Sequence, residues 1–166
     1  DHILFVFGLF LLSLKTSFLL WQISAFTLAH TVTLVLGALG LISVPASIVE
    51  PFIAASIVFV AVENIFLSKL NKWRTLLVFG FGLLHGLGFA SVLAEFGLPE
   101  GQFLPALIGF NIGVELGQLS VIAIAYLLLG LTFGKKPYYR TVITIPASCI
   151  IAAVGTWWVF ERVVLA

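Results

Sequence analysis

Residues 79–90, FGFGLLHGLGFA, place one imidazole, His85, among glycines inside an apolar stretch long enough to cross a bilayer. An apolar run of this length indicates a transmembrane helix. An ionisable side chain at membrane depth costs free energy, and it usually faces other protein or a water-filled cavity where it has a partner. His85 therefore predicts polar partners on neighbouring helices.

The composition indicates a polytopic membrane protein. Of 166 residues, 61% are hydrophobic and 9% are charged, and the mean hydropathy is +1.23. Soluble globular domains carry about a quarter charged residues, so that class is excluded. The single cysteine, Cys149, excludes an internal disulfide and a cysteine-rich metal site. Metal chemistry would have to rest on histidine, carboxylate and amide groups.

Six apolar segments predict an all-α transmembrane helix bundle with six spans, in which residues 1–166 form a single transmembrane domain. The segments are residues 2–14, 19–41, 46–67, 75–94, 104–133 and 141–164. The first is short for a span. It therefore predicts a helix that starts upstream of residue 1, and a chain that begins after a processed or trimmed segment.

The distribution of basic residues predicts the orientation. Seven of the eight fall in the first, third and fifth connections: Lys15, Lys69, Lys72, Arg74, Lys135, Lys136 and Arg140. By the positive-inside rule these connections face the cytoplasm, so both ends of the chain are predicted to be extracytoplasmic. The exception is Arg162, which follows Glu161.

Three ionisable side chains are predicted at similar membrane depth. At about 1.5 Å per residue, His30, His85 and Glu115 each lie roughly 15 Å into segments two, four and five. Two imidazoles and a carboxylate suit a transition-metal site or a proton relay. The alternative is that each makes a structural hydrogen bond between helices.

Two spacings predict how segments four and five pack. Polar residues in segment five recur at i, i+4 and i+7 and share one face: Asn111, Glu115 and Gln118. Glycines recur every four positions at Gly82, Gly86, Gly109, Gly113 and Gly117. Small residues at this spacing let helices approach closely, which would bring His85 near Glu115. Ordinary helix packing is the alternative reading of the glycines.

Further polar residues lie above and below this level. Segment three carries Glu50 near its outer end and Glu63 and Asn64 near its cytoplasmic end. Glu50 is equally well explained as a solvated carboxylate at the membrane interface, whereas Glu63 is deeper.

Asp1 and His2 open the chain, at the predicted outer mouth of the bundle. Near His30, the hydroxyl of Thr27 can bond either its own backbone or an imidazole nitrogen.

Five stretches, in order along the chain, resemble the HupE/UreJ family: residues 1–5, 25–34, 62–64, 81–90 and 110–118. The resemblance covers essentially the whole chain. It implies a bacterial inner-membrane permease or accessory protein for a transition metal, with nickel the usual assignment and cobalt or copper as alternatives. The better studied branch has an HPxxGxDH-type motif in its first helix, and only Asp1 and His2 match it here. The sequence is more similar to the second, less characterised branch, which often carries an extracytoplasmic region before the membrane part.

The leading hypothesis is a metal permease in which Asp1 and His2 capture a divalent ion and His30, His85 and Glu115 hold it. The residues expected in the second shell or along the pathway are Glu63, Asn64, Asn111, Gln118, Thr27 and Glu50. Imidazole and carboxylate ligands suit nickel, cobalt, zinc or copper(II). The expected partners are the bilayer, the ion and an extracytoplasmic domain or metallochaperone, without nucleic acid.

Two other functions fit the same residues. One is an intramembrane metal-dependent hydrolase in which histidines and a carboxylate activate water. The other is an assembly subunit of a metalloenzyme system, whose polar groups only tie helices together.

Overall fold

The computed structural model describes residues 1–12, 14–67, 73–96 and 103–165, without the side chains of residues 91–96 and 103–104. This part of the chain is helical and contains no strand. The helices are α1 (His2–Leu12), α2 (Thr16–Ala38), α3 (Ala46–Phe66), α4 (Arg74–Phe96), α5 (Phe103–Ala125) and α6 (Arg140–Leu165). Helix α5 continues through a π-helical turn, Tyr126–Gly130, to Leu131–Phe133, and π-helical turns flank the α-helical part of α6, Ile145–Phe160.

The all-helical prediction is confirmed, and the predicted segments match the six helices to within a few residues. Within the described part of the chain, four helices are long and apolar enough to cross a membrane: α2, α3, Pro105–Phe133 and α6. Helix α1 and the stretch Arg74–Ala90 of α4 are shorter apolar helices. Six spans and the orientation stay predictions, and two residues of the orientation argument, Lys69 and Lys72, lie outside the described residues.

Local chemistry explains the break between α2 and α3. Gly40 follows the end of α2 with φ of 71°, a left-handed conformation that glycine adopts without steric cost. Pro45 directly precedes α3 with φ of −55°. A ring-fixed φ near this value suits the start of a helix, and the missing N–H is not needed there. The chain therefore reverses over a few residues.

Helix α1 lies at the centre of the bundle, where it contacts α2, α3, α5 and α6. Its Phe5, Leu9 and Phe10 side chains are fully buried. The most extensive helix pairs are α2 with α4 and α3 with α6. The first turn of α1, with His2, therefore lies against the middle of α2 and α4.

Two glycines of α4, Gly82 and Gly86, pack against α2. A Cβ atom on Gly82 would lie 2.5 Å from the Phe26 carbonyl oxygen, and one on Gly86 would lie 2.5 Å from the His30 carbonyl oxygen. Three glycines of α5 have open space instead as far as the described residues extend: Gly109, Gly113 and Gly117. The prediction that glycines join segments four and five is therefore wrong. Close approach of α2 and α4 is what sets His30 beside α4.

Candidate functional site

Three histidines from three helices meet in the bundle. The ring centre of His2 lies 5.2 Å from that of His30 and 4.8 Å from that of His85. His30 and His85 are fully buried. The sequence placed His2 at a mouth and the other two at the midplane, whereas the structure brings all three into one cluster.

Phenylalanines enclose this histidine cluster. The ring centre of Phe26 lies 5.4 Å from that of His2 and 5.0 Å from that of His85. Phe89 lies 5.1 Å from His2 and 5.6 Å from His30, also between ring centres. Aromatic rings thus form much of the surroundings of the imidazoles, and an electrostatic interaction is stronger in such low-dielectric surroundings than in water.

A backbone carbonyl fixes the tautomer of His85. Its Nδ1 lies 2.8 Å from the Phe81 carbonyl oxygen. Because a carbonyl only accepts, Nδ1 carries the proton and the Nε2 of the neutral ring carries the lone pair. A carbonyl in this role orients metal-binding histidines in known sites. The ring of His85 is thus set with an acceptor nitrogen toward its neighbours.

Four of the six ring nitrogens in the cluster are buried without a hydrogen bond to any described residue. They are Nε2 of His85, Nε2 of His2 and both ring nitrogens of His30, although the Asn111 side chain lies close enough to His30 to interact with it. Most buried polar atoms in proteins are hydrogen-bonded, because an unpaired one is costly. Three imidazoles with this property in one place form a site whose nitrogens are available to a ligand.

The spacing of the rings suits a metal ion, but their orientation does not. Three imidazoles around one tetrahedral ion have ring centres roughly 5 Å apart, given metal–nitrogen bonds of about 2.0–2.1 Å. The rings of His2 meet those of His30 and His85 edge-on, at 89° and 82°. Among the described side chains, no three from His, Cys, Asp and Glu are arranged to hold a metal ion. Binding would require the rings to turn about their side-chain torsions.

The polar face of α5 contacts α2, and Glu115 takes no part in that contact. The Thr31 hydroxyl lies 2.8 Å from Oδ1 of Asn111, and the Thr27 hydroxyl lies 3.2 Å from Oε1 of Gln118. Thr27 thus bonds neither its own backbone nor an imidazole. Glu115 is half-buried and, among the described residues, makes no hydrogen bond or ion pair. The structure does not bring its carboxylate to the histidine cluster.

Two cavities adjoin His2. The smaller, of about 150 Å³, is lined by His2, His85, Asp1, Glu50, Arg162, Ile53, Gly88 and Phe89. The larger, of about 370 Å³, is mostly apolar and lies between α1, α4 and α5, with Gln118 among its lining residues. The small cavity therefore connects two imidazoles to three charged side chains.

Arg162 spans the carboxylates of the small cavity. Its Nη2 donates to both carboxylate oxygens of Asp1, at 2.9 and 3.1 Å. Its Nη1 donates to the Glu50 carbonyl oxygen at 3.0 Å, and its Nε lies 3.8 Å from Oε2 of Glu50. We call these three residues the Arg162 cluster. It joins the start of α1, the start of α3 and the end of α6.

A second arginine pair lies toward the other end of α3. Nη1 of Arg74 lies 2.9 Å from Oε2 of Glu63, and its Nη2 donates to Oδ1 of Asn64 at 3.3 Å. Nδ2 of Asn64 donates to the Gly8 carbonyl oxygen at 2.7 Å. We call Arg74, Glu63 and Asn64 the Arg74 cluster. Two residues predicted along a pathway, Glu63 and Asn64, thus tie α1, α3 and α4 together.

Sequence reasoning missed the role of Arg162. The signal was present, because the positive-inside rule left Arg162 as an unexplained cation on the side of the chain that also holds Asp1 and Glu50. The enclosing phenylalanines were not foreseen either. In a sequence with 16 phenylalanines, their positions alone do not single out Phe26 and Phe89.

The family profile described as HupE / UreJ protein matches residues 1–162. No curated protein and no solved structure matches the sequence. The profile covers nearly the whole chain, as the resemblance of its motifs predicted, and the apolar helices agree with a multi-pass membrane protein. The chain belongs to the HupE/UreJ family, which indicates a membrane protein with a metal-related accessory or transport role.

Proposed function

We propose that the protein is a membrane permease for a divalent transition-metal ion, and that His2, His30 and His85 bind the ion in transit. The observation that carries this proposal is the meeting of three imidazoles on three apolar helices, with four buried ring nitrogens that make no hydrogen bond to the described residues. Membership of the HupE/UreJ family supports a metal as the cargo.

The ligand types favour certain ions. Imidazole nitrogens suit nickel, cobalt, zinc and copper(II). The sequence has no methionine and one cysteine, so it offers few soft ligands for copper(I). A divalent ion in a low-dielectric site needs negative charge nearby. Asp1 and Glu50, which line the same cavity as His2 and His85, are the carboxylates best placed to supply it. An extracytoplasmic domain or a metallochaperone would deliver the ion there.

Metal titration of the purified chain tests the histidine site. We expect His30→Ala and His85→Ala to weaken binding of the preferred ion, among nickel, cobalt, zinc and copper(II), by more than about 100-fold. The loss should exceed the 10- to 100-fold that removal of an outer-shell partner costs. Glu115→Gln is the matched control, since its carboxylate has no contact with the cluster, and it should change affinity little. Unchanged affinity in both histidine variants would refute the proposed site.

Uptake of the same ion into proteoliposomes separates a carrier from the other functions. We expect uptake by the natural chain and none by His85→Ala. The apolar cavity of about 370 Å³ beside His2 supports the alternative of an intramembrane hydrolase, because it could admit an acyl chain. Metal binding without uptake, together with metal-dependent ester or amide hydrolysis, would favour that alternative. Metal binding with neither activity would favour an assembly subunit.

A further inference from the structure

The Arg162 cluster has the features of an ion site that already contains a cation. Two carboxylates, Asp1 and Glu50, flank one guanidinium at one side of a cavity of about 150 Å³. We propose that Asp1 and Glu50 form an entry site for a divalent cation, and that Arg162 is an internal substitute which the arriving ion displaces. This inference rests on the proposed permease function and adds the route by which the ion reaches the histidines.

The first support is that the carboxylates and the imidazoles share one cavity. His2 and His85 line it together with Asp1 and Glu50. Nε2 of His85 is buried and makes no hydrogen bond to any residue that the structure describes. A cavity of this volume holds several water molecules, so a partly hydrated ion fits. An ion bound by the carboxylates would thus face an unpaired nitrogen without crossing a layer of apolar side chains.

The second support is the charge balance. The side chains of Asp1 and Glu50 contribute two negative charges, and Arg162 contributes one positive charge. Replacing the guanidinium by a divalent ion cancels both carboxylate charges, whereas a monovalent ion leaves one uncompensated. In a partly desolvated site an uncompensated charge is costly. The Arg162 cluster therefore favours a divalent cation over a monovalent one.

The third support is that Arg162 is free to leave. The side chains of Arg162 and Asp1 are 20% and 22% exposed, and that of Glu50 is 47% exposed. Ion pairs with this exposure contribute little to stability. The guanidinium carbon also lies 5.6 Å from the ring centre of Trp158, within the range of a cation–π contact. This contact does not depend on the carboxylates, so Arg162 would keep it when Asp1 and Glu50 hold an ion.

Thiol labelling tests this arrangement without any metal. Ile53 lines the cavity and is buried, so Ile53→Cys in a Cys149→Ser background reports access to it. We expect Arg162→Gln to raise the labelling rate with a cationic methanethiosulfonate reagent by about tenfold. The rate with an anionic reagent should rise less, because two carboxylates are left unpaired. Lys136→Gln, an exposed cation between α5 and α6, is the control and should leave both rates unchanged.

Metal titration of the full chain completes the test. We expect Arg162→Gln to tighten and Glu50→Gln to weaken the binding of the ion that the histidines prefer. If His85→Ala abolishes binding while neither Arg162→Gln nor Glu50→Gln changes affinity or labelling, the entry site is refuted and the permease proposal stands. If Arg162→Gln and Glu50→Gln change the affinity as expected while His30→Ala and His85→Ala leave it unchanged, the histidine site is refuted and the entry site stands. Absence of metal binding by the natural chain would refute both sites.

Discussion

The two arginine clusters use the same chemistry in different surroundings. In the Arg74 cluster the side chains of Arg74 and Glu63 are 1% and 8% exposed. In the Arg162 cluster the side chains of Arg162 and Asp1 are 20% and 22% exposed. Both pairs have a nitrogen–oxygen distance of 2.9 Å. The difference in burial, rather than in distance, separates a permanent connection from one that an ion can exchange.

The clusters also differ in how their partners are held. Arg74 bonds Asn64, which in turn bonds the backbone of α1 at Gly8, so the guanidinium belongs to a network across three helices. Arg140 caps the C-terminal end of α3 beside this network, because its guanidinium donates to the carbonyl oxygens of Ile65 and Leu67. Moving Arg74 would leave several buried groups unpaired. Moving Arg162 would expose groups that water already reaches.

The largest loss of unfolding free energy is expected in the Arg74 cluster. Glu63→Gln leaves the guanidinium of Arg74 buried without a counter-charge, which should lower the free energy of unfolding by about 3–5 kcal/mol. Titration with SDS in mixed micelles measures that free energy. The double variant Glu63→Gln with Arg74→Met removes both charges and should recover most of the loss. A single variant as stable as the natural chain would show that water reaches this pair.

The positions of the helices could be predicted because they depend on the run of apolar residues alone. Segment three was placed at residues 46–67 and α3 is Ala46–Phe66. The contacts between helices could not be predicted in the same way. Helices that are apolar all round carry little information about which face meets which neighbour. For this reason Gly82 and Gly86 of α4 were predicted to pack on α5, whereas they pack on α2.

The candidate site was predictable only in part. His30 and His85 were expected at one level of the membrane, and the structure places both in one cluster. Glu115 was grouped with them because depth was counted along each helix, but equal depth does not give the distance between side chains on different helices. Asn111 and Gln118 face α2, and Glu115, on the same helix, does not reach the histidines. His2 joins the cluster because α1 lies at the centre of the bundle.

A smaller loss of unfolding free energy is expected at Gly86, where α4 packs against α2. In Gly86→Ala the new Cβ would lie 2.5 Å from the His30 carbonyl oxygen. Overpacking of this kind should cost about 1–3 kcal/mol of unfolding free energy. It should also weaken metal binding, because it moves His30 relative to His85. The SDS titration and the metal titration measure the two consequences.

The control for this change is Gly113→Ala on α5. A Cβ at Gly113 meets no other atom within 4 Å. Replacing a helical glycine by alanine without a clash is expected to stabilise by about 0.5–1 kcal/mol. Equal losses in the Gly86 and Gly113 variants would mean that α2 and α4 do not meet at Gly86.

The smallest loss of unfolding free energy is expected in the Arg162 cluster. Arg162→Gln should lower the free energy of unfolding by less than about 1 kcal/mol, because exposed ion pairs gain little over their hydrated separate charges. The difference from the natural chain should shrink further at about 1 M salt, where the screening length is only about 3 Å. The same SDS titration, run at low and high salt, measures both values. If Arg162→Gln lowers the free energy of unfolding as much as Glu63→Gln does, Arg162 is a second fixed connection between helices. An arriving cation could then not displace it, and the proposed entry site would be wrong.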